Sequence, residues 1–130
     1  MNASLRAHLA VCWDGSQDEK TTRHCYIKNL AYYERMIKYL PARIDRAVLV
    51  AGGHRDDISY RRSSKYIRGV RDYFLSRGFR VDLRLGNVPD DDIVYVANAE
   101  YFIEGGGGFS IMLGGLVKQM GGTVLHEGID

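Results

Sequence analysis

Short apolar segments alternate with amphipathic ones along this chain, and that alternation predicts an α/β fold. Five such apolar segments, each separated from the next by a helical pattern, imply right-handed crossovers and a parallel sheet covered on both faces. The expected architecture is a doubly wound parallel sheet of about five strands in three layers, α/β/α, of the Rossmann-like kind. Glycines punctuate the pattern at Gly52-Gly53, Gly78, Gly86 and Gly121-Gly122, each where a segment should end. At 130 residues, 45% of them hydrophobic, the chain can bury a single core, so residues 1–130 read as one domain.

Taken in order, His8–Trp13 is an apolar run suited to a buried strand. Tyr26–Leu40 places Ile27, Leu30, Tyr33, Ile37 and Leu40 three or four apart, an amphipathic helix stopped at Pro41. Arg46–Ala51 is the second strand. Ser63 or Ser64 can cap a helix whose Ile67, Val70 and Phe74 form one stripe, ended by Gly78. Phe79–Leu85 alternates as a third strand. Pro89-Asp90-Asp91-Asp92 precedes a short helix, Ile93–Ala99, whose leading carboxylates complement the helix dipole and can cap free N–H groups. Tyr101–Ile103 is the fourth strand, the stretch to Met120 the last long helix, and Thr123–His126 the fifth strand.

In such a sheet ligands sit beyond the carboxyl ends of the strands. Those ends open into loops 13–25, 52–62, 86–91 and 104–109, and the most informative is the last. Glu104-Gly-Gly-Gly-Gly-Phe-Ser110 joins a strand to a helix through four consecutive glycines. Glycine admits positive φ and close approach of a ligand to the backbone. The helix that follows offers unpaired N–H groups and a positive dipole end to an anion. A phosphate or diphosphate is the simplest ligand for that place. The string is neither a Walker loop nor a dinucleotide fingerprint: no Gly-Lys-Ser/Thr follows, and position 110 is Ser. Without a ligand the same glycines make a strand-to-helix turn.

Bulk properties exclude several classes. A formal charge of +2 is too small to argue for nucleic acid, and Arg61, Arg62, Lys65, Arg68 and Arg71 read as a solvated helix face. No stretch of about 18 apolar residues spans a membrane, and the first residues lack the apolar core of a signal peptide. Cys12 and Cys25 give neither metal spacing nor a disulfide framework; Cys12 reads as a small core residue. His8, His24, His54 and His126 form no ligand pair, so no metal is expected.

Asp92 to Ser110, with its Asp-x6-Ala-x-Tyr-Phe-Ile-x-Gly-Gly-Gly-Gly-Phe-Ser spacing, resembles a segment of the fucosyltransferase-like GT-B glycosyltransferases. That segment carries an acidic residue, a short helix, an apolar strand and a Ser-Ser-Phe-Ser/Thr turn. Tyr26–Leu40, with Tyr32-Tyr33, is similar to the Tyr-Tyr helix after the first strand of the same nucleotide-binding half. The resemblance runs in order over roughly residues 8–127 and is low in identity. It implies a domain that binds GDP-fucose, facing a second Rossmann-like domain that holds a glycan or protein acceptor. No cofactor or metal is implied. Phe109 and Ser110 fall on the family's Phe-Ser/Thr pair, and Gly107 and Gly108 on its two serines. Gly106, Gly107, Gly108, Phe109 and Ser110 would therefore hold the diphosphate, with Asp92 toward the nucleoside.

Two departures stand out. The family's first strand usually ends in His-x-Arg, whereas the matching place reads Val11-Cys-Trp-Asp-Gly15. Stabilising a departing diphosphate is a large term, so another group is needed; Arg84, His54 and Arg23 are the candidates, Arg84 and His54 foremost. The chain also has the length of one domain rather than two. A fragment, a partner chain supplying the acceptor half, or a remnant would each account for that.

A non-catalytic Rossmann-like binding module is the rival reading. A methyltransferase is disfavoured because its glycine loop follows the first strand. A serine hydrolase lacks Gly-x-Ser-x-Gly, and a phosphoreceiver domain lacks its lysine after the last strand.

Overall fold

The computed structural model of the protein describes residues 2–9, 28–52 and 57–126. Five strands, β1 (Asn2–His8), β2 (Arg46–Ala51), β3 (Arg80–Leu85), β4 (Ala99–Ile103) and β5 (Thr123–Leu125), form one sheet. Four helices join them among the described residues: α1 (Leu30–Ile37), α2 (Asp57–Ser76), α3 (Pro89–Ala97) and α4 (Gly108–Gln119). All strand pairs are parallel and the order is β3-β2-β1-β4-β5. The expected doubly wound α/β fold is therefore what the chain adopts.

Period-2 alternation sends Leu5 and Ala7 of β1 to one face of the sheet and Arg6 and His8 to the other. The first face joins Ala47, Leu49 and Ala51 under α1 and α2, where Tyr33, Ile67, Val70 and Phe74 fill the layer. Tyr66 ties these helices together, donating its hydroxyl proton to the Lys28 carbonyl (2.7 Å) and accepting one from Tyr33 (2.8 Å). On the other face Val48, Val50, Phe102 and Val124 pack under Val96 of α3 and Leu113 and Val117 of α4.

Several boundaries differ from expectation. The first described strand is Asn2–His8, which ends where the expected strand His8–Trp13 was to begin; residues 10–13 of that expectation lie outside the described residues. A central parallel strand normally reads as an unbroken apolar run, and here two buried polar residues, Arg6 and His8, disguise it. Residues 10–27 lie outside the described ones, and with them Cys12, Cys25 and the Val11–Gly15 stretch matched to the arginine motif. Helix α1 starts only at Leu30, where the Asn29 side chain accepts from the Tyr32 N–H at 2.9 Å. Helix α2 begins at Asp57, ahead of the serines expected to cap it. Helix α3 begins at Pro89, whose missing N–H costs nothing in a first turn. Its N-cap is Val88, with no side-chain cap, so Asp92 is not a capping residue.

Successive strands step from β1 through β2 to β3 in one direction and from β4 to β5 in the other. The reversal lies between β1 and β4, the place where open α/β sheets leave a crevice at their carboxyl ends.

Candidate functional site at the carboxyl edge

The turn after β4 is held at both ends. The Glu104 N–H donates to the Leu125 carbonyl of β5 at 3.0 Å, and the Tyr32 hydroxyl donates to the Glu104 carbonyl at 2.5 Å. Next, the Gly105 N–H donates to Ser110 Oγ at 2.8 Å, closing the loop on itself. Between those anchors Gly106 and Gly107 take φ of +97° and +85°. Gly107 is the N-cap of α4, and among the described residues no side-chain cap is made there. The amides of its first turn thus have no intrahelical acceptor.

Gly106, Gly107 and Gly108 form a wall of a cleft of about 330 Å³. Glu104, Ile111, Lys28 ahead of α1, Tyr32 of α1 and His126 after β5 complete its lining. Small-molecule sites typically span roughly 300–1,000 Å³. At about 330 Å³ this one lies at the lower end of that range.

A second polar cluster lies under α3. Lateral register places His8 beside Val50, and Val50 beside Arg84, so all three share a sheet face. Arg84 Nε donates to Asp92 Oδ1 at 2.9 Å, fastening β3 to α3. The Arg6 and Arg84 guanidinium carbons lie over the Tyr95 ring, 3.9 and 4.4 Å from its centroid, and Arg6 also donates to the Tyr95 carbonyl. Arg6, His8 and Asp92 are only 4%, 8% and 3% exposed. Burial holds the Arg6 guanidinium below its ordinary pKa, an effect that Tyr95 opposes and Arg84 reinforces.

Arg6 Nε and His8 Nδ1 are buried without a hydrogen-bond partner among the described residues. Among the described residues Arg6 has no carboxylate counterpart, since Asp92 is taken by Arg84. Two guanidinium charges thus stand against one carboxylate among the described residues of this cluster. His8 touches the Phe109 ring (centroids 5.2 Å apart), which connects this cluster to the glycine turn.

Burial lowers the His8 pKa from 6.5 to about 4, against the opposing attraction of Asp92. The unfolded chain protonates this imidazole as pH falls through 6.5, the folded protein only near pH 4. Stability from neutral His8 is therefore complete above pH 6.5 and is lost as pH falls from there to about 4, by about 3 kcal/mol in all. Urea unfolding of the wild type and His8→Phe at pH 7 and pH 4 checks this. The variant should gain on the wild type at low pH, and an unchanged difference between the two would count against the buried neutral imidazole.

The residues singled out from sequence fall in different places. Gly106, Gly107 and Gly108 line the cleft; Phe109 contributes its amide to the first turn of α4 and its ring to His8. Ser110 is 0% exposed, and its hydroxyl accepts from Gly105 inside the turn. Asp92 and Arg84 are paired with each other in the second cluster. His54 and Arg23 lie outside the described residues. Reading from sequence overlooked Glu104, Lys28, Tyr32 and His126 in the cleft, and Arg6 and His8 beneath α3. The alternation Leu5-Arg-Ala-His-Leu9 carried a signal for the last two.

Ser110→Ala should cost about 1–3 kcal/mol of stability, because it leaves the Gly105 N–H buried and unpaired. Thermal unfolding measures that loss.

Among the described residues no group of three or more His, Cys, Asp or Glu side chains could hold a metal ion. No described helix is long and apolar enough to cross a membrane. The chain matches no protein-family model and no curated protein.

Proposed function

We propose that this chain is a nucleotide-sugar-binding domain of the glycosyltransferase type, most similar to the GT-B fucosyltransferases, with GDP-fucose as its donor. One observation carries the reading: the Gly106–Gly108 backbone lines an open cleft at the sheet's carboxyl edge, at the start of a helix with no side-chain cap among the described residues. There the first-turn amides and the helix dipole favour a diphosphate, and Lys28 is among the lining residues.

In sugar transfer an acceptor hydroxyl attacks the anomeric carbon, and the bond from that carbon to the diphosphate oxygen breaks. Negative charge then grows on the departing GDP, and groups aimed at it lower the barrier. The resembled family uses an arginine after its first strand for this. Arg6, a buried guanidinium with no carboxylate partner among the described residues, lies in the separate cluster under α3 and is not part of the cleft wall. Arg84 belongs to the same cluster and is tied to Asp92.

That tie favours a second reading, a non-catalytic module that binds the nucleotide without turnover. Calorimetry with GDP and pyrophosphate tests the shared claim, and failure of both to bind removes it. GDP release from GDP-fucose without acceptor separates the two: release supports a transferase, binding without release a module.

A further inference from the structure

We propose that Glu104 is the specificity-determining residue of the glycine-turn cleft, accepting hydrogen bonds from hydroxyls on the ring that the bound phosphate carries. This rests on the phosphate reading above, and it names what else the ligand must contain.

Glu104 is half-buried and lines the cleft. Its main chain is fixed on both sides, the N–H by Leu125 and the carbonyl by Tyr32. The side chain is seated as well: a methyl group at Gly114 would overlap Glu104 Oε1, so this glycine gives the carboxylate its place against α4. Among the described residues the carboxylate makes no hydrogen bond and no ion pair. An acid on a fixed main chain, seated beside Gly114 and unpaired among the described residues, is an available acceptor in the cleft lining.

A bare inorganic anion gains nothing from such a neighbour, because like charges repel. A phosphate ester of a hydroxylated ring gains a great deal: the amides take the phosphate, while the ring's O–H groups donate to the carboxylate in charge-assisted bonds. The cleft volume of about 330 Å³ lies at the lower end of the range for small-molecule sites. That ring is either the ribose or the transferred sugar, and the two are separable by experiment.

The test is calorimetry of pyrophosphate, GDP and GDP-fucose against the wild type, Glu104→Gln and Gly114→Ala, in buffer containing a chelator. Glu104→Gln keeps the shape and removes the charge. Gly114→Ala keeps the charge and pushes the flexible end of Glu104 off its seat while favouring the helix. Both variants should lose about tenfold in affinity for the ring-bearing ligand and bind pyrophosphate as tightly as the wild type or more so. A loss already present with GDP assigns the ribose; one confined to GDP-fucose assigns the sugar. Equal nucleotide affinity in Glu104→Gln and wild type overturns the proposal while leaving the phosphate reading intact. So does a parallel loss for pyrophosphate, or binding that the chelator abolishes, which would make Glu104 a cation ligand. No binding of any of the three to the wild type overturns both.

Discussion

Gly107→Val is expected to lower affinity for GDP and pyrophosphate by at least about a hundredfold, roughly 3 kcal/mol. Gly107 sits at φ +85° and ψ 165°, a conformation that is essentially confined to glycine. Valine, branched at Cβ, cannot hold it, so the peptide must rotate and the amides entering α4 turn with it. The side chain would also intrude where three glycines now leave the cleft open. Strain of this kind costs about 1–3 kcal/mol, against a typical domain stability of roughly 5–15 kcal/mol. The variant should therefore fold, and its circular dichroism should match the wild type while its calorimetric signal vanishes. Undiminished GDP binding in folded Gly107→Val would remove the phosphate site from this turn.

The sheet was legible because parallel strands buried on both faces write themselves as apolar runs, as Arg46–Ala51 does. The exception, β1, shows what such a pattern cannot express. Arg6 and His8 occupy core positions facing α3 and α4, and no pattern based on hydropathy puts an arginine there. The apolar run at 8–13 drew the expected strand onward from His8, whereas the described strand ends there.

The glycine turn was legible for the opposite reason. Consecutive glycines record a backbone requirement directly, and two of the four take positive φ. The rest of the cleft is made by topology. Lys28, Tyr32 and His126 are far from Gly106 in sequence and meet it only because β5 pairs with β4 and α1 packs across β1. Asp92 was picked out by its spacing to the turn, yet spacing did not reveal Arg84 as its partner, an ion pair set by the packing of α3 on β3.

That dependence on β5 makes Gly122 the position where one methyl group should do most harm to stability. Its N–H donates to the Val117 carbonyl at 2.9 Å and carries the chain from α4 into β5. A methyl group there would overlap the Ala99 carbonyl oxygen and stand 2.7 Å from Val117 Cγ1. Ala99 cannot yield, because it belongs to β4, which is held by β1 on its far side. The corner between α4 and β5 must back away instead. Overpacking against backbone belongs at the upper end of the usual cost, about 3 kcal/mol, or a fall in Tm on the order of 10 °C. Gly115 is the control, an α4 glycine with nothing within 4 Å of an added methyl group. Gly115→Ala should hold or raise Tm through helix propensity. If β5 backs away, the Leu125 carbonyl moves with it and releases the Glu104 N–H. Gly122→Ala should therefore weaken GDP binding as well as the fold, whereas Gly115→Ala should leave it unchanged. A Gly122→Ala protein as stable as the wild type would mean that β4 and α4 separate more easily than their packing implies.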